Sequence, residues 1–287
     1  MAMLVRRIVR SKKNLFVRKF SKSTKEIWDN FLRNSHRTSL RKFIEEHPDV
    51  VNAILKNTEI TRDHLTPELK LFLLTKNCPL YHEPFIDKYE NSRFDPSIRN
   101  IFQDPFWSIY WPGGQALTRF IFDEGRKKIV TIRHARKDAL RILDLGAGCG
   151  ATAIATKLTN FGTCKVIAND ISKTACVAIA MNAILNNVNI EISWKNLLKE
   201  LPEDTYDVIF VGDLLYDEEI ANTLIVWLEH AYLRGAQIYL GDPGRHGLTE
   251  DLKKRMRLLR RYSLPENVRK ENHGYDTATV WEFNLNN

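Results

Sequence analysis

From residue 141 the chain alternates short apolar runs with longer stretches whose apolar positions recur every three or four residues. The short runs predict strands over Arg141–Leu145, Lys165–Asn169, Ile190–Trp194, Tyr206–Gly212 and Ala236–Gly241. Between them the longer period predicts helices over Ala151–Leu158, Lys173–Leu185 and Glu218–Ala231. In Lys173–Leu185 one face carries Val177, Ala180, Ile184 and Leu185. Further on, Thr249–Arg261 reads as a basic helix, and Tyr262–Val268 and Thr277–Phe283 as two closing strands. Such alternation implies an α/β, doubly wound and mostly parallel sheet with helices on both faces. In these sheets ligands bind where strands end and the strand order reverses, so chemistry is sought just after each strand.

Upstream the pattern is helical and weaker. Ile27, Trp28, Phe31 and Leu32 suit one helical face, and Leu40, Phe43 and Ile44 another, interrupted at Pro48. Thr66-Pro67-Glu68 has the form of an N-cap, a first-turn proline and a first-turn acid, which predicts a helix through Leu74. Residues 77–106 read as an irregular connection. The expected organisation is a leader at 1–20, an N-terminal helical extension and connection at 21–100, and the sheet domain at 101–287.

Charge changes the picture only when mapped. The net charge is +8, but residues 1–25 hold nine of the 43 basic side chains and no acid. The remaining chain has 34 basic groups against 35 acids and is close to neutral, so nothing in it calls for nucleic acid. The Arg-rich, acid-free start has the composition of a mitochondrial transit peptide, with Arg18-Lys19-Phe20-Ser21 resembling a matrix-processing site. A basic arm for RNA or a membrane surface is the rival reading. Apolar stretches are too short to span a bilayer, so a soluble compartment, the mitochondrial matrix, is expected. Cys78, Cys149, Cys164 and Cys176 form no C-x-x-C pair and no zinc spacing with the histidines, so free thiols and no metal are expected.

The most specific motif follows the first strand: Asp144-Leu145-Gly146-Ala147-Gly148-Cys149-Gly150-Ala151. Glycines there allow a tight strand-to-helix turn and close approach of backbone to a ligand. Asp170 follows the second strand, where a carboxylate accepts from ribose hydroxyls. A dinucleotide fits this pattern loosely. S-adenosylmethionine fits it better, because Asp144 can meet an ammonium group but would repel a pyrophosphate. Asp213-Leu214-Leu215-Tyr216 follows the fourth strand, and Trp111-Pro112-Gly113-Gly114 precedes the first. Asp213 can hold an incoming ammonium by a charge-assisted hydrogen bond, or cap the next helix. The aromatics Phe106, Trp107, Tyr110 and Trp111 can line a channel mouth or pack as core. The basic face near Lys253 and Arg257 reads as solvated, with docking of an acidic partner as the alternative.

On these motifs the chain resembles the seven-strand, S-adenosylmethionine-dependent protein lysine methyltransferases, whose members carry an acid-x-x-aromatic motif after the fourth strand. It is similar in particular to those acting in mitochondria on the electron transfer flavoprotein beta subunit. That similarity runs through Asp104–Leu117, Leu143–Ala155, Ala168–Ile171, Gly212–Glu218, Gly241–Arg245 and Thr277–Trp281. The resemblance implies a Rossmann-like fold and transfer of methyl from S-adenosyl-L-methionine to lysine of a protein substrate. It further implies that Asp144, Gly146 and Gly148 cradle the methionine part of the cofactor. Asp170 would hold the ribose, Trp111 would pack beside the cofactor, and Asn196 would reach the adenine rim. Asp213 and Tyr216 would shape the lysine entrance. Rival functions are an RNA or small-molecule methyltransferase, a non-enzymatic binding or assembly module of the same fold, and a dehydrogenase.

Overall fold

A computed structural model describes residues 28–30, 32, 38–78, 81, 105–125, 127–128, 139–159, 164–272 and 274–285. The expected leader at 1–20 lies outside the described residues. The chain opens with helices α1 (Thr38–Glu45) and α2 (Pro48–Asn57), then a small antiparallel pair, β1 (Glu59–Thr61) and β2 (Leu71–Leu73). Helix α3 (Pro112–Phe120) precedes the main sheet. That sheet comprises β3 (Leu140–Leu145), β4 (Cys164–Asn169), β5 (Glu191–Ser193), β6 (Val208–Gly212), β7 (Gln237–Asp242), β8 (Met256–Ser263) and β9 (Thr277–Phe283). Between its strands run α4 (Ala151–Leu158), α5 (Lys173–Leu185), α6 (Glu218–Leu233), α7 (Glu250–Lys254) and α8 (Glu266–Glu271).

The seven strands lie in the order β5-β4-β3-β6-β7-β9-β8. The first five are parallel, and β9 inserts antiparallel between β7 and β8. This is the doubly wound α/β sheet that the alternation implies. Its order reverses between β3 and β6, so the loops after these strands face one crevice. The central strands are buried on both faces, which is why they read as continuous apolar runs. Ile142, Val208 and Phe210 point into a core shared with α3, α4 and α5. Leu143, Ile209 and Val211 point into the opposite core, under α6 and α7.

Three sequence expectations fail. Thr66 starts no helix: its hydroxyl meets Tyr110 Oη and His64 Nδ1 (both 3.2 Å), and the chain turns into β2, whose three residues are all buried. The basic helix predicted over Thr249–Arg261 stops at Lys254, and Met256–Ser263 is an edge strand. Its pairing with β9 outweighs the helix propensity of its Leu and Arg residues. Tyr262–Val268 is accordingly not a strand throughout, and α8 begins at Glu266. The basic residues of this region are engaged within the chain, Arg255 with Glu229, Arg257 with Glu282, and Arg260 with Glu124 at 2.6 Å.

Helix α5 is buried on every side from Ala175 to Leu185, not only on the one face that periodicity indicates. A helix apolar all round must be covered all round. The sheet covers one side, and α1, α2 and β2 cover the other. Two asparagines fasten the contact. Asn182 Oδ1 accepts from Phe72 N (2.8 Å) while its Nδ2 donates to Cys149 O (2.9 Å). Asn186 accepts from Lys70 N (2.9 Å) and donates to Lys70 O (2.6 Å). Replacing Asn182 by the similarly sized Leu leaves a buried N–H and a buried carbonyl without partners. At about 1–3 kcal/mol for each, Asn182→Leu is expected to lose about 2–6 kcal/mol, read by urea unfolding. Among the described residues no helix is long and apolar enough to cross a membrane.

Candidate active site

Four loops meet at the carboxyl edge of the sheet. After β3 the chain must reverse into α4 within a few residues, and Gly146, Gly148 and Gly150 take left-handed φ values of 67°, 55° and 78°. At Gly146 an added Cβ would sit 2.7 Å from the Leu214 side chain, and at Gly150 3.0 Å from Ile179. At Gly148 it would meet nothing nearer than Trp107 Cα at 3.9 Å, so this glycine faces open space. The outer two glycines therefore serve packing as well as turning, and the middle one leaves room for a ligand.

Two carboxylates flank this loop. Asp144 is buried and accepts from Ala153 N at the start of α4 (3.0 Å). Burial pushes its carboxyl up to about 7, and the negative Asp170 adds to the rise. Asp170 accepts from Gly148 N (3.0 Å) and Ser172 N (2.9 Å), and burial raises it as well. Two desolvated acids in mutual repulsion favour a cationic, hydroxyl-bearing ligand and oppose a pyrophosphate. This donor set fits S-adenosylmethionine and disfavours the dinucleotide reading. Beside Asp170, Ile171 is 70 % exposed, an apolar surface at the ligand edge that sequence periodicity does not single out. Asn196, after β5, is exposed, and its Oδ1 accepts from Leu198 N (3.1 Å) at the start of a short turn. Trp194 nearby stacks on Phe43 of α1, with ring centroids 5.8 Å apart.

The other half of the site forms around Asp213, which follows β6. It is buried, with φ at +55°, a left-handed value that costs a non-glycine residue about 1 kcal/mol or more. Its Oδ2 accepts from Gly113 N and from Gly114 N (3.1 Å), and its Oδ1 from Arg245 Nε (3.0 Å) and Nη2 (2.9 Å). Burial pushes this carboxyl up, and the Arg245 guanidinium and the two glycine N–H groups pull it back. The cap of α6 is not Asp213 but Asp217, which accepts from Ile220 N (3.0 Å). Tyr216 is half-buried in the turn between them. Trp111 precedes α3, with Nε1 donating to Phe106 O (2.9 Å). The aromatic cluster divides: Trp107 and Tyr110 are core, and Phe106 and Trp111 reach the surface.

The fold also brings to this half two residues whose partners the sequence does not give. Arg245 lies 32 positions from Asp213, and Tyr275 precedes β9, yet both converge here. In the sequence the run Asp242-Pro243-Gly244-Arg245 reads either as part of the substrate face or as a simple turn after a strand, and nothing local names its partner. Asp242 is buried and accepts through Oδ1 from Gly244 N (2.6 Å) and Arg245 N (2.7 Å). Burial and the neighbouring Asp213 charge push it up to about 7.

The model of a family described as lysine methyltransferase matches residues 98–256. The chain belongs to this lysine methyltransferase family. Among its relatives, the electron transfer flavoprotein beta subunit lysine methyltransferase of Mus musculus is 38% identical over 232 residues, covering 79% of this chain and 82% of the relative. The Homo sapiens protein of that name is 38% identical, with 82% of each chain covered. A Caenorhabditis elegans homolog is 32% identical, covering 80% of this chain and 94% of its own. In this lysine methyltransferase the crevice has two halves. One half is the Asp144–Gly150 loop with Asp170, and the other is the Trp111–Asp213–Tyr216 group with Arg245.

Proposed function

We propose that this enzyme transfers a methyl group from S-adenosylmethionine to lysine on the electron transfer flavoprotein beta subunit, in the mitochondrial matrix. The observation that carries the cofactor half is the pair of desolvated carboxylates, Asp144 and Asp170, around an open left-handed glycine turn. The names and coverage of the relatives support the substrate, and the acid-free basic leader supports the compartment.

The methyl donor is S-adenosylmethionine, which supplies a methyl group on a positive sulfonium. Asp144 keeps lone pairs beyond the one used by Ala153 N and would take the donor's ammonium group. Asp170 takes the ribose hydroxyls while Gly148 N and Ser172 N fix its orientation. Ile171 would cover the base, and Asn196 would lie at its rim. Lysine must arrive as a free amine, because an ammonium has no lone pair. Its ordinary pKa of about 10.4 falls in a desolvated site beside another cation. Trp111 and Tyr216 wall the approach, and much of the rate comes from aligning nitrogen, methyl and sulfur.

The test is a transfer assay with the full-length chain, radiolabelled S-adenosylmethionine and purified flavoprotein beta subunit, beside a matrix extract. Label is expected on the beta subunit. Measurable cofactor binding without any labelled protein would overturn the substrate assignment and return RNA or a small molecule to consideration.

A further inference from the structure

Arg245 makes contacts that neither the cofactor nor the amine requires directly. Its guanidinium gives a two-pronged bond to Asp213 Oδ1 and lies over two rings, with Cζ 5.4 Å from the Trp111 centroid and 5.3 Å from that of Tyr275. Its backbone is held too, since Asp242 Oδ1 accepts its N–H, and Gly244, at φ +103°, lets the loop reverse towards the site. Only a planar, permanently charged group can stack on rings and present a fork to a carboxylate at once.

A carboxylate has about four lone-pair positions. On Asp213 all four are taken, two by Arg245 and two by the N–H groups of Gly113 and Gly114. No acceptor site is left for an incoming ammonium. Asp213 instead ties the start of α3, and with it Trp111, to the loop after β7. We infer that Arg245 is a positioning residue for methyl transfer, holding the Asp213 carboxylate, the Gly113–Gly114 turn and Trp111 in the arrangement that forms the lysine entrance. This inference rests on the methyltransferase reading and adds a residue to it.

The experiment compares the full-length wild type with Arg245→Ala, Arg245→Lys and Tyr275→Leu. It reads kcat and KM on the flavoprotein beta subunit, the pH profile of kcat, S-adenosylmethionine affinity by calorimetry, and the carboxyl ¹³C titration of Asp213. A displaced wall costs about 100-fold, so Arg245→Ala is expected to lower kcat by about that factor while cofactor affinity holds. Asp213 loses its counter-charge inside the protein, so its carboxyl should titrate higher and the acid limb of kcat should move up by about one pH unit or more. Arg245→Lys returns the charge without the fork. It is expected to restore the acid limb but to leave kcat about 10-fold low, a split that loss of packing alone would not give. If Arg245→Ala does not fold, Tyr275→Leu keeps the ion pair and removes one stacked face, and a drop in kcat at constant cofactor affinity is expected.

Unchanged kcat and an unmoved Asp213 titration in Arg245→Ala would overturn the inference. So would a fall in KM with a rise in kcat, which would make Arg245 a plug in front of an amine-binding Asp213. If the wild type leaves the beta subunit unlabelled, the substrate reading fails, and the Asp213 titration still decides the role of Arg245.

Discussion

Gly113→Ala is expected to slow methyl transfer by about 100-fold and to destabilise the fold. A methyl group there overlaps the Gly241 carbonyl and lies 2.6 Å from Asp213 Oδ2. Reciprocally, a Cβ on Gly241 overlaps the Gly113 carbonyl, and one on Gly212 lies 3.0 Å from Gly114 Cα. Helix α3 thus starts with its backbone laid directly on the ends of β6 and β7. Overpacking by a methylene costs about 1–3 kcal/mol where side chains can move aside. Here the neighbour is main chain, so the upper end, about 3 kcal/mol, is expected in urea unfolding. Lifting α3 also draws the N–H groups of Gly113 and Gly114 away from Asp213, and a displacement near 1 Å costs about 100-fold in rate. Gly114→Ala supplies the control. Its Cβ meets only the Tyr110 ring, at 3.7 Å, an ordinary contact, and stability should change by less than about 0.5 kcal/mol. Equal stability losses in the two variants would refute the interlock.

Asp144→Asn should weaken S-adenosylmethionine binding by about 100-fold, the worth of a charge-assisted bond inside the protein, about 2–3 kcal/mol. The wild type should bind more tightly as pH rises through about 7, since only the ionised carboxyl pairs with an ammonium group. The variant should lose that dependence, which calorimetry at pH 6 and pH 8 would show. Its ligand-free stability should move the other way. A folded-state carboxyl raised from 3.8 to about 7 keeps its proton better than the unfolded chain does, so stability falls as pH rises across that interval. Asparagine still accepts from Ala153 N but carries no charge. At pH 8 the variant is therefore expected to be about 2–4 kcal/mol more stable than the wild type. A variant that binds normally, or is less stable at pH 8, would refute the pairing.

What the sequence discloses divides along the line between local and distant determinants. Strands β3, β4, β6 and β7 are legible within a residue or two, because parallel strands covered on both faces must be apolar throughout. The loop from Asp144 to Gly150 and the acid at Asp170 are legible because strand, turn and helix start are contiguous. Strand β8 misleads because an edge strand protects itself with charge, and six residues of Met-Arg-Leu-Leu-Arg-Arg-Tyr-Ser suit a helix as well. Strand β2 misleads because Thr66-Pro67-Glu68 has every local mark of a helix start, while the Thr66 hydroxyl is claimed by Tyr110. In the site, Asp213 is visible as a motif, but its saturation by Gly113, Gly114 and Arg245 is not. Those partners lie about 100 residues before it and 32 after.

The asparagine bonds between β2 and α5 bear on the order of assembly. They join residues 110 and 116 positions apart, so the loop they close is among the costlier steps in ordering the chain. A polypeptide emerging N-terminus first, from a ribosome or through a translocation pore, presents Leu71, Phe72 and Leu73 long before Asn182 arrives to receive them. For that interval a fully apolar strand has no helix to lie on, and its unpaired edge is open to other chains. The same arithmetic applies to a fragment begun near residue 98, which would expose the outer side of α5 permanently.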